Sequence, residues 1–314
     1  MSYKLEDKLV VAIASSALFD LKESDKVFRE KGEEEYRKYQ RKNEDKTLEK
    51  GVAFPLIKRL LDVNEELNKT VVEVILLSRN DPDTGLRVFK SIEHYSLNIS
   101  RAIFVTGRNP FKYMKAINAS LFLSGNLEDV KEAVRNGYPA GHVHNTNFAD
   151  DSDDKELRLA FDFDGVIADD SAEQVLQNGG GLSNYQKHER DHAEEPLPIG
   201  PLYDFLKKIS AIQNEELQRQ KDDANFKPLI RIAICTARNS PAHERTIKTF
   251  RDWRIRIDEA FFLGGINKMD VLNIYRPHIF FDDMMDNIQN VEQSFPSVHV
   301  PYGIKNRETD TLTI

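Results

Sequence analysis

The chain has 314 residues, 40% hydrophobic and 31% charged, which at roughly 100–200 residues per domain predicts about two globular domains and excludes a disordered, collagen-like or disulfide-stapled chain. Lys and Arg number 44 against 52 Asp and Glu, a net charge of −8, so a broad electrostatic grip on a nucleic-acid backbone is not expected. Cys235 is the one cysteine, which rules out an intrachain disulfide, and the opening MSYKLEDKLVVAIASSALFD does not read as a signal peptide. A cytoplasmic protein with no membrane or nucleic-acid partner is expected.

In chain order, short apolar runs bounded by polar turns predict strands at 9–14, 71–77, 102–105 and 120–123, then at 157–163, 230–235, 260–263 and 278–281. Helical spacing follows most of them, at 85–95, 127–135, 242–253 and 287–294. Such alternation predicts an α/β fold, a parallel sheet with helices on both faces. The acidic stretch 150–156 (DDSDDKE) reads as a linker and divides the chain into halves 1–150 and 151–314.

The same order of runs occurs twice, which points to an internal repeat. Ala12 matches Ala160, Tyr39-Gln40 matches Tyr185-Gln186, Pro55-Leu56 matches Pro201-Leu202, and Asn64-Glu-Glu-Leu matches Asn214-Glu-Glu-Leu. Further on, Arg79-Asn80 matches Arg238-Asn239, Gly107 matches Gly265 and Phe122 matches Phe281. The separation drifts by a few residues at a time, as loop insertions require.

The second half carries the chemistry. A strand running into Asp162-Phe-Asp164-Gly-Val puts two carboxylates at its carboxyl end, where open α/β sheets bind ligands. Both point to one side of an extended chain, and their mutual repulsion calls for a cation or a shared proton. A second strand ends in Thr236 and leads through Ala237-Arg238 into a helix, whose amides suit a phosphate. A third ends in glycines with Lys268 beyond, and a fourth ends in Asp282-Asp283, a pair suited to a hard divalent cation.

This set, in this order, resembles the haloacid dehalogenase-like superfamily. The resemblance implies that Asp162 is the nucleophile forming an aspartyl-phosphate, and that Asp164 is first the acid for the leaving oxygen and then the base for water. It implies that Thr236 and the Ala237 and Arg238 amides hold phosphate and that Lys268 steadies the negative charge. Mg²⁺ is implied on Asp162, the Asp164 carbonyl and the acidic pair, with Asp283 the direct ligand and Asp282 in support. A carboxylate attacking a phosphate dianion needs such cations, and an alkoxide leaving group needs a proton.

The likeness extends over 8–304 through Val10-Val-Ala-Ile-Ala-Ser-Ser-Ala-Leu-Phe19, Glu34-Glu-Tyr-Arg-Lys-Tyr-Gln40, Lys187-His-Glu-Arg-Asp-His192, Gly200-Pro-Leu202, Arg276-Pro-His-Ile-Phe-Phe-Asp-Asp283 and His299-Val-Pro-Tyr-Gly303. These resemble the cytosolic type I 5'-nucleotidases. The resemblance implies a Rossmann-like catalytic half, hydrolysis of nucleoside 5'-monophosphates such as AMP, IMP and deoxynucleotides, and an adenine-nucleotide effector. Asp162-Phe-Asp-Gly-Val departs from the Asp-Gly-Asp-Ala-Val form associated with vertebrate members. A phosphatase for another small ester and a catalytically idle nucleotide sensor are the rival readings, and a homo-oligomer is left open.

Between the first two motifs, 170–227 is too long for a bare loop and predicts a small helical cap. Tyr185, His188, Glu189 and His192 on it are the expected contacts for base or ribose. Gln177-Asn-Gly-Gly-Gly181 lacks the Lys-Ser/Thr of a P-loop and reads as a flexible turn. His142 and His144 have no supporting cluster and are expected to be hydrogen-bonded rather than metal-bound. Through the repeat, Asp162 and Asp164 fall opposite Ala14 and Ser16, Thr236 opposite Leu77, Lys268 opposite Asn109 or Pro110, and Asp282-Asp283 opposite Leu123-Ser124. The first half is therefore expected to be a degenerate, non-catalytic copy.

Overall fold

The structure, a computed structural model, describes residues 3–144, 148–178, 181–291 and 294–307. The chain divides into two compact units, Met1–Lys155 and Glu156–Ile314, with the boundary inside the acidic stretch. In the first unit, β1 (Leu9–Ile13), β2 (Val72–Ser78), β3 (Arg101–Phe104), β4 (Leu121–Ser124) and β5 (Ala140–Val143) pair in parallel in the order β3-β2-β1-β4-β5. In the second, β6 (Leu157–Phe161), β7 (Ile230–Thr236), β8 (Glu259–Phe262), β9 (Ile279–Asp282) and β10 (Ser297–His299) pair in parallel in the corresponding order β8-β7-β6-β9-β10. Each unit is the expected α/β fold.

A parallel sheet covered on both faces needs near-continuous apolar strands. LVVAI in β1 and VEVILLS in β2 are buried throughout, whereas β3 and β8, outermost in each order, are only partly so. In the first unit Ala12, Leu77, Phe122, Val130 and Ala133 belong to one buried cluster. In the second, Phe161 stacks on Phe281 with centroids 5.0 Å apart, and Phe205 closes on both.

Phe205 sets the extent of the cap. Its helix, Tyr203–Asp222, is the crossover that covers the sheet on the way to β7. The cap therefore narrows from 170–227 to the region before residue 200, with helices Ser171–Asn178 and Leu182–Asp191. Gly179 and Gly180 of the glycine run lie outside the described residues, and Gly181 enters the second helix at φ 84°. The predicted 287–294 helix begins earlier, as Met285–Val291, and residues 292 and 293 of that prediction also lie outside the described ones.

Strand register makes the units comparable residue by residue. Leu9 pairs with Val72 as Leu157 pairs with Ile230, and Ile13 with Leu123 as Phe161 with Phe281. The Ala14 amide donates to Leu123 O at 2.8 Å, as the Asp162 amide does to Phe281 O at 2.8 Å. The register differs by one residue from the sequence match at the ends of two strands: Thr236 corresponds to Ser78 rather than Leu77, and Asp282-Asp283 correspond to Ser124-Gly125. Asn109 and Asn267 both cap, accepting from Phe111 N and Met269 N, which puts Pro110 opposite Lys268. The cap correspondence also shifts. Arg87 bonds Gln40 Oε1 and Lys46 O as Arg245 bonds Glu189 Oε1 and Glu195 O, so Gln40 answers to Glu189 rather than Gln186, and Tyr36 rather than Tyr39 answers to Tyr185.

Candidate active site

The strand order of the second unit reverses between β6 and β9. Chain leaves β6 toward β7 on one side and returns to β9 on the other, which opens a crevice at the carboxyl ends of these strands. Asp162 and Asp164 follow β6, Thr236 ends β7, and Asp282 ends β9 with Asp283 next. A cavity of about 370 Å³ lies there, lined by Asp162, Asp164, Thr236, Ala237, Lys268 and Asp283 among others.

Lys268 enters from the first residue of the helix Lys268–Tyr275, whose N-cap is Asn267. Its Nζ lies 3.0 Å from Asp162 Oδ2 and 2.7 Å from Asp282 Oδ2. Asp282 is fully buried and saturated: Met284 N donates to Oδ1 at 2.8 Å and Asn287 Nδ2 reaches both oxygens. It is therefore placed to orient Lys268 rather than to face the cavity. Asp162 Oδ1 accepts from Phe163 N at 2.7 Å. Gly165, at φ 76°, packs so closely that an added Cβ would come within 2.7 Å of Asp283 Oδ2; a side chain there would displace Asp283.

One oxygen from each of Asp162, Asp282 and Asp283 can be chosen so that all lie within 4.8 Å of one another, and this is the one such acidic, histidine or cysteine group among the described residues. Burial, the main cause, and the neighbouring carboxylates push Asp162 up to about 7, against the pull of Lys268, and Asp283 up to about 9. Asp162 and Asp283, buried oxygen donors pushed up in this way, fit a hard divalent cation, which would let both ionise together, with Asp282 behind them. The same carboxylates hold the Lys268 ammonium protonated despite its burial.

The Arg238 side chain is turned to Asp164. Its Nε donates to Asp164 Oδ2 at 2.8 Å and its Nη2 to Asp164 Oδ1 at 2.7 Å, while Nη1 bonds Glu189 of the cap helix. Its backbone amide donates to Thr236 Oγ1 at 3.2 Å. Glu189 is fully buried and also takes Arg245 at 2.8 Å. Tyr185 is buried near the Arg238 guanidinium, and His188 stacks on His192 with centroids 4.2 Å apart. None of the four cap residues expected to touch base or ribose lines the cavity; its wall includes Asp170 and Glu173 from the cap, Ile266, and Ile304 and Lys305 from the C-terminal segment. Lys305 bonds Glu173 at 2.9 Å, and Asp170 Oδ2 accepts from Ile304 N at 2.7 Å. No local motif marked these, because chain distant in sequence brings them together. His142 Nδ1 and His144 Nε2 lie 3.0 Å apart, and His142 Nε2 lies 3.3 Å from Gly125 O.

A family model described as 5'-nucleotidase matches residues 1–307. The chain belongs to the 5'-nucleotidase family. Human "Cytosolic 5'-nucleotidase 1B" is 33% identical over 301 residues, which cover 92% of this chain and 48% of that protein, so the chain spans about half the length of this curated relative. A solved structure described as a Pnkp1/Rnl/Hen1 complex aligns over 96% of this chain and 100% of its own, with 13% identity and a TM-score of 0.32, too distant to bear on function. No helix among the described residues is long and apolar enough to cross a membrane.

Proposed function

We propose that the second unit is a Mg²⁺-dependent 5'-nucleotidase that transfers the phosphoryl group of a nucleoside 5'-monophosphate to Asp162 and then to water. The observation that carries this reading is the placement of Lys268 between Asp162 and Asp282 beside Asp283, at one crevice with Thr236. The relative's name adds that it is cytosolic and acts as a 5'-nucleotidase, and the same is proposed here.

In the first step an Asp162 oxygen attacks phosphorus, the bond from phosphorus to the ester oxygen breaks, and Asp164 gives its proton to that oxygen, releasing nucleoside. In the second, Asp164 takes a proton from water, whose oxygen attacks phosphorus and frees phosphate and the Asp162 carboxylate. Lys268 offsets the repulsion between carboxylate and phosphate, and the Thr236 hydroxyl with the Ala237 amide orients phosphate oxygens. Asp162, Asp283 and the Asp164 carbonyl would hold Mg²⁺, with Asp282 behind them. When bound, the ion supplies positive charge at the transferring group. In the first unit, Ala14, Ser78, Pro110, Ser124 and Gly125 stand at the corresponding places, and we propose that this unit is a non-catalytic copy.

Phosphate release across nucleoside monophosphates and sugar phosphates, with Mg²⁺ or EDTA, tests the reading. Nucleotides should be preferred, EDTA should stop turnover, and Asp162→Asn should abolish it without loss of fold. Faster hydrolysis of sugar phosphates would move the substrate class, and nucleotide binding without release would make the protein a sensor.

A further inference from the structure

We propose that Arg238 is the positioning residue of Asp164 and that Glu189 ties this position to the seating of the cap. The inference rests on the reading of Asp164 as acid and base. Arg238 spans both Asp164 oxygens, at 2.8 and 2.7 Å, a fork geometry that fixes the plane as well as the place of a carboxylate. Each oxygen has two lone pairs and Arg238 takes one from each, so proton exchange at the cavity remains open to Asp164. Arg238 is 3% exposed, and its outer edge is closed by Phe163, 5.2 Å from the ring centroid, and by Glu189.

A buried guanidinium is costly unless the carboxylates it touches compensate its charge. Glu189, fully buried and bonded to Nη1, is a second such partner beside Asp164. Arg245, bonded to Glu189 and to Glu195 O, anchors the arrangement to the helix His243–Trp253. The guanidinium that steadies Asp164 is thus itself held through Glu189 from the helix Leu182–Asp191, and the acid is held in place when that helix is seated.

The first unit supports a chemical rather than a purely structural reason for the pair. Arg87 retains there the bonds of Arg245, to Gln40 Oε1 at 3.1 Å and Lys46 O at 2.9 Å, so the cap is anchored alike. Yet Asn80 stands at the place of Arg238, Gln40 at that of Glu189 and Ser16 at that of Asp164, and the Asn80 amide donates to Ser15 Oγ at 3.4 Å instead of to an aspartate. The neutral arrangement holds through Tyr36 OH to Asn80 Oδ1 at 3.3 Å and Gln40 Nε2 to Tyr36 OH at 3.0 Å. Anchoring needs the outer arginine in both units, whereas the Arg238 and Glu189 charges accompany the acid.

The test compares Arg238→Gln, Arg238→Lys, Glu189→Gln and Asp164→Asn in the full-length protein with two substrates, AMP and p-nitrophenyl phosphate. The second has a leaving group that needs no proton, so its first step reports attack without the acid. Arg238→Gln should lower kcat for AMP about 100-fold or more with KM little changed, the range expected for a lost acid. The rate of the p-nitrophenol burst should fall by less than about tenfold, well short of a lost acid. Arg238→Lys, which cannot span both oxygens, should show the same split to a smaller degree, and so should the near-isosteric Glu189→Gln; these two keep the test intact if Arg238→Gln fails to fold. Equal loss on both substrates, or a rise in KM alone, would make Arg238 a phosphate ligand and overturn the proposal. Asp164→Asn separates the two layers: without a split there, the acid assignment fails first and the Arg238 proposal with it.

Discussion

At the scale of single residues, the buried groups of the site make opposite demands on charge, and each demand can be measured. Lys268 lies 8% exposed between two carboxylates, so Lys268→Met should cost about 3–5 kcal/mol, the effect of leaving a buried charge without its partner. Urea unfolding with EDTA present reads this, and a loss below about 1 kcal/mol, the size of an exposed ion pair, would show that the pair is not isolated from solvent. Asp162 and Asp283 are pushed up to about 7 and about 9 from an ordinary 3.8. Without a divalent cation the folded protein therefore binds more protons than the unfolded chain across that interval. Stability should be highest at the acid end, fall as pH rises through those values and level off above them. Thermal midpoints in EDTA from pH 5 to 9 should decline, and Mg²⁺ should flatten the slope; a flat EDTA profile would count against mutual repulsion of the carboxylates. Cys235 is fully buried, its thiol pushed up to about 12, so a thiol reagent at pH 8 should label it only after unfolding.

That the residues ending the strands meet at one crevice was legible because motif spacing places them at strand ends: Asp162 and Asp164 one residue apart, Thr236 before a helix, Asp282 beside Asp283. What Arg238 and Glu189 do was not, since a bidentate pair between residues 74 positions apart leaves no local pattern. At the scale of elements the limit is similar. β1, β2, β6 and β7 announce themselves as apolar runs, but β5 and β10 are short and include Gly141 and His142, or Ser297 and His299, so periodicity cannot find them. The crossover helix Tyr203–Asp222 read as cap because sequence shows its length and not what Phe205 touches. Glycine at the return from the cap gives an element-scale prediction. An added Cβ at Gly200 would come within 2.3 Å of Ala168 O, and at Gly51 within 2.7 Å of Ala17 O. Both neighbours are backbone and cannot swing away. Gly200→Ala should therefore destabilise by roughly 1–3 kcal/mol or more, whereas Gly265→Ala, with open space around it and φ 97°, should cost about 1 kcal/mol from backbone strain. Equal midpoints for the two variants in urea would refute the close approach.

At the scale of the whole molecule, the same strand order and the same capping and cap-anchoring bonds occur in two units, while acidic charge collects at the strand ends of one. On the proposed reading, shared architecture alone does not carry the activity. It follows that each chain should bind one tight divalent ion and not two. Mn²⁺ titration followed by its paramagnetic signal would count them, and Asp283→Asn should remove the tight site, whereas a second site of like affinity would place cation chemistry in the first unit as well. Hydroxyls at matched places separate the units further. Ser78, which exchanges a hydrogen bond with Ser15 at 2.9 Å, and Ser124, which accepts from Asn126 N at 3.1 Å, are both buried. Replacing either by alanine should lower stability by about 1 kcal/mol and leave kcat within about twofold, since no reacting group is present to be held. Thr236→Ala, at the same position of the second sheet, should lower kcat about tenfold or more, because in the proposed mechanism that hydroxyl orients the transferring phosphoryl group. Comparable losses of turnover at Ser78 and Thr236 would mean that the first unit shares in the reaction, and the division of labour between a charged copy and a neutral one would have to be abandoned.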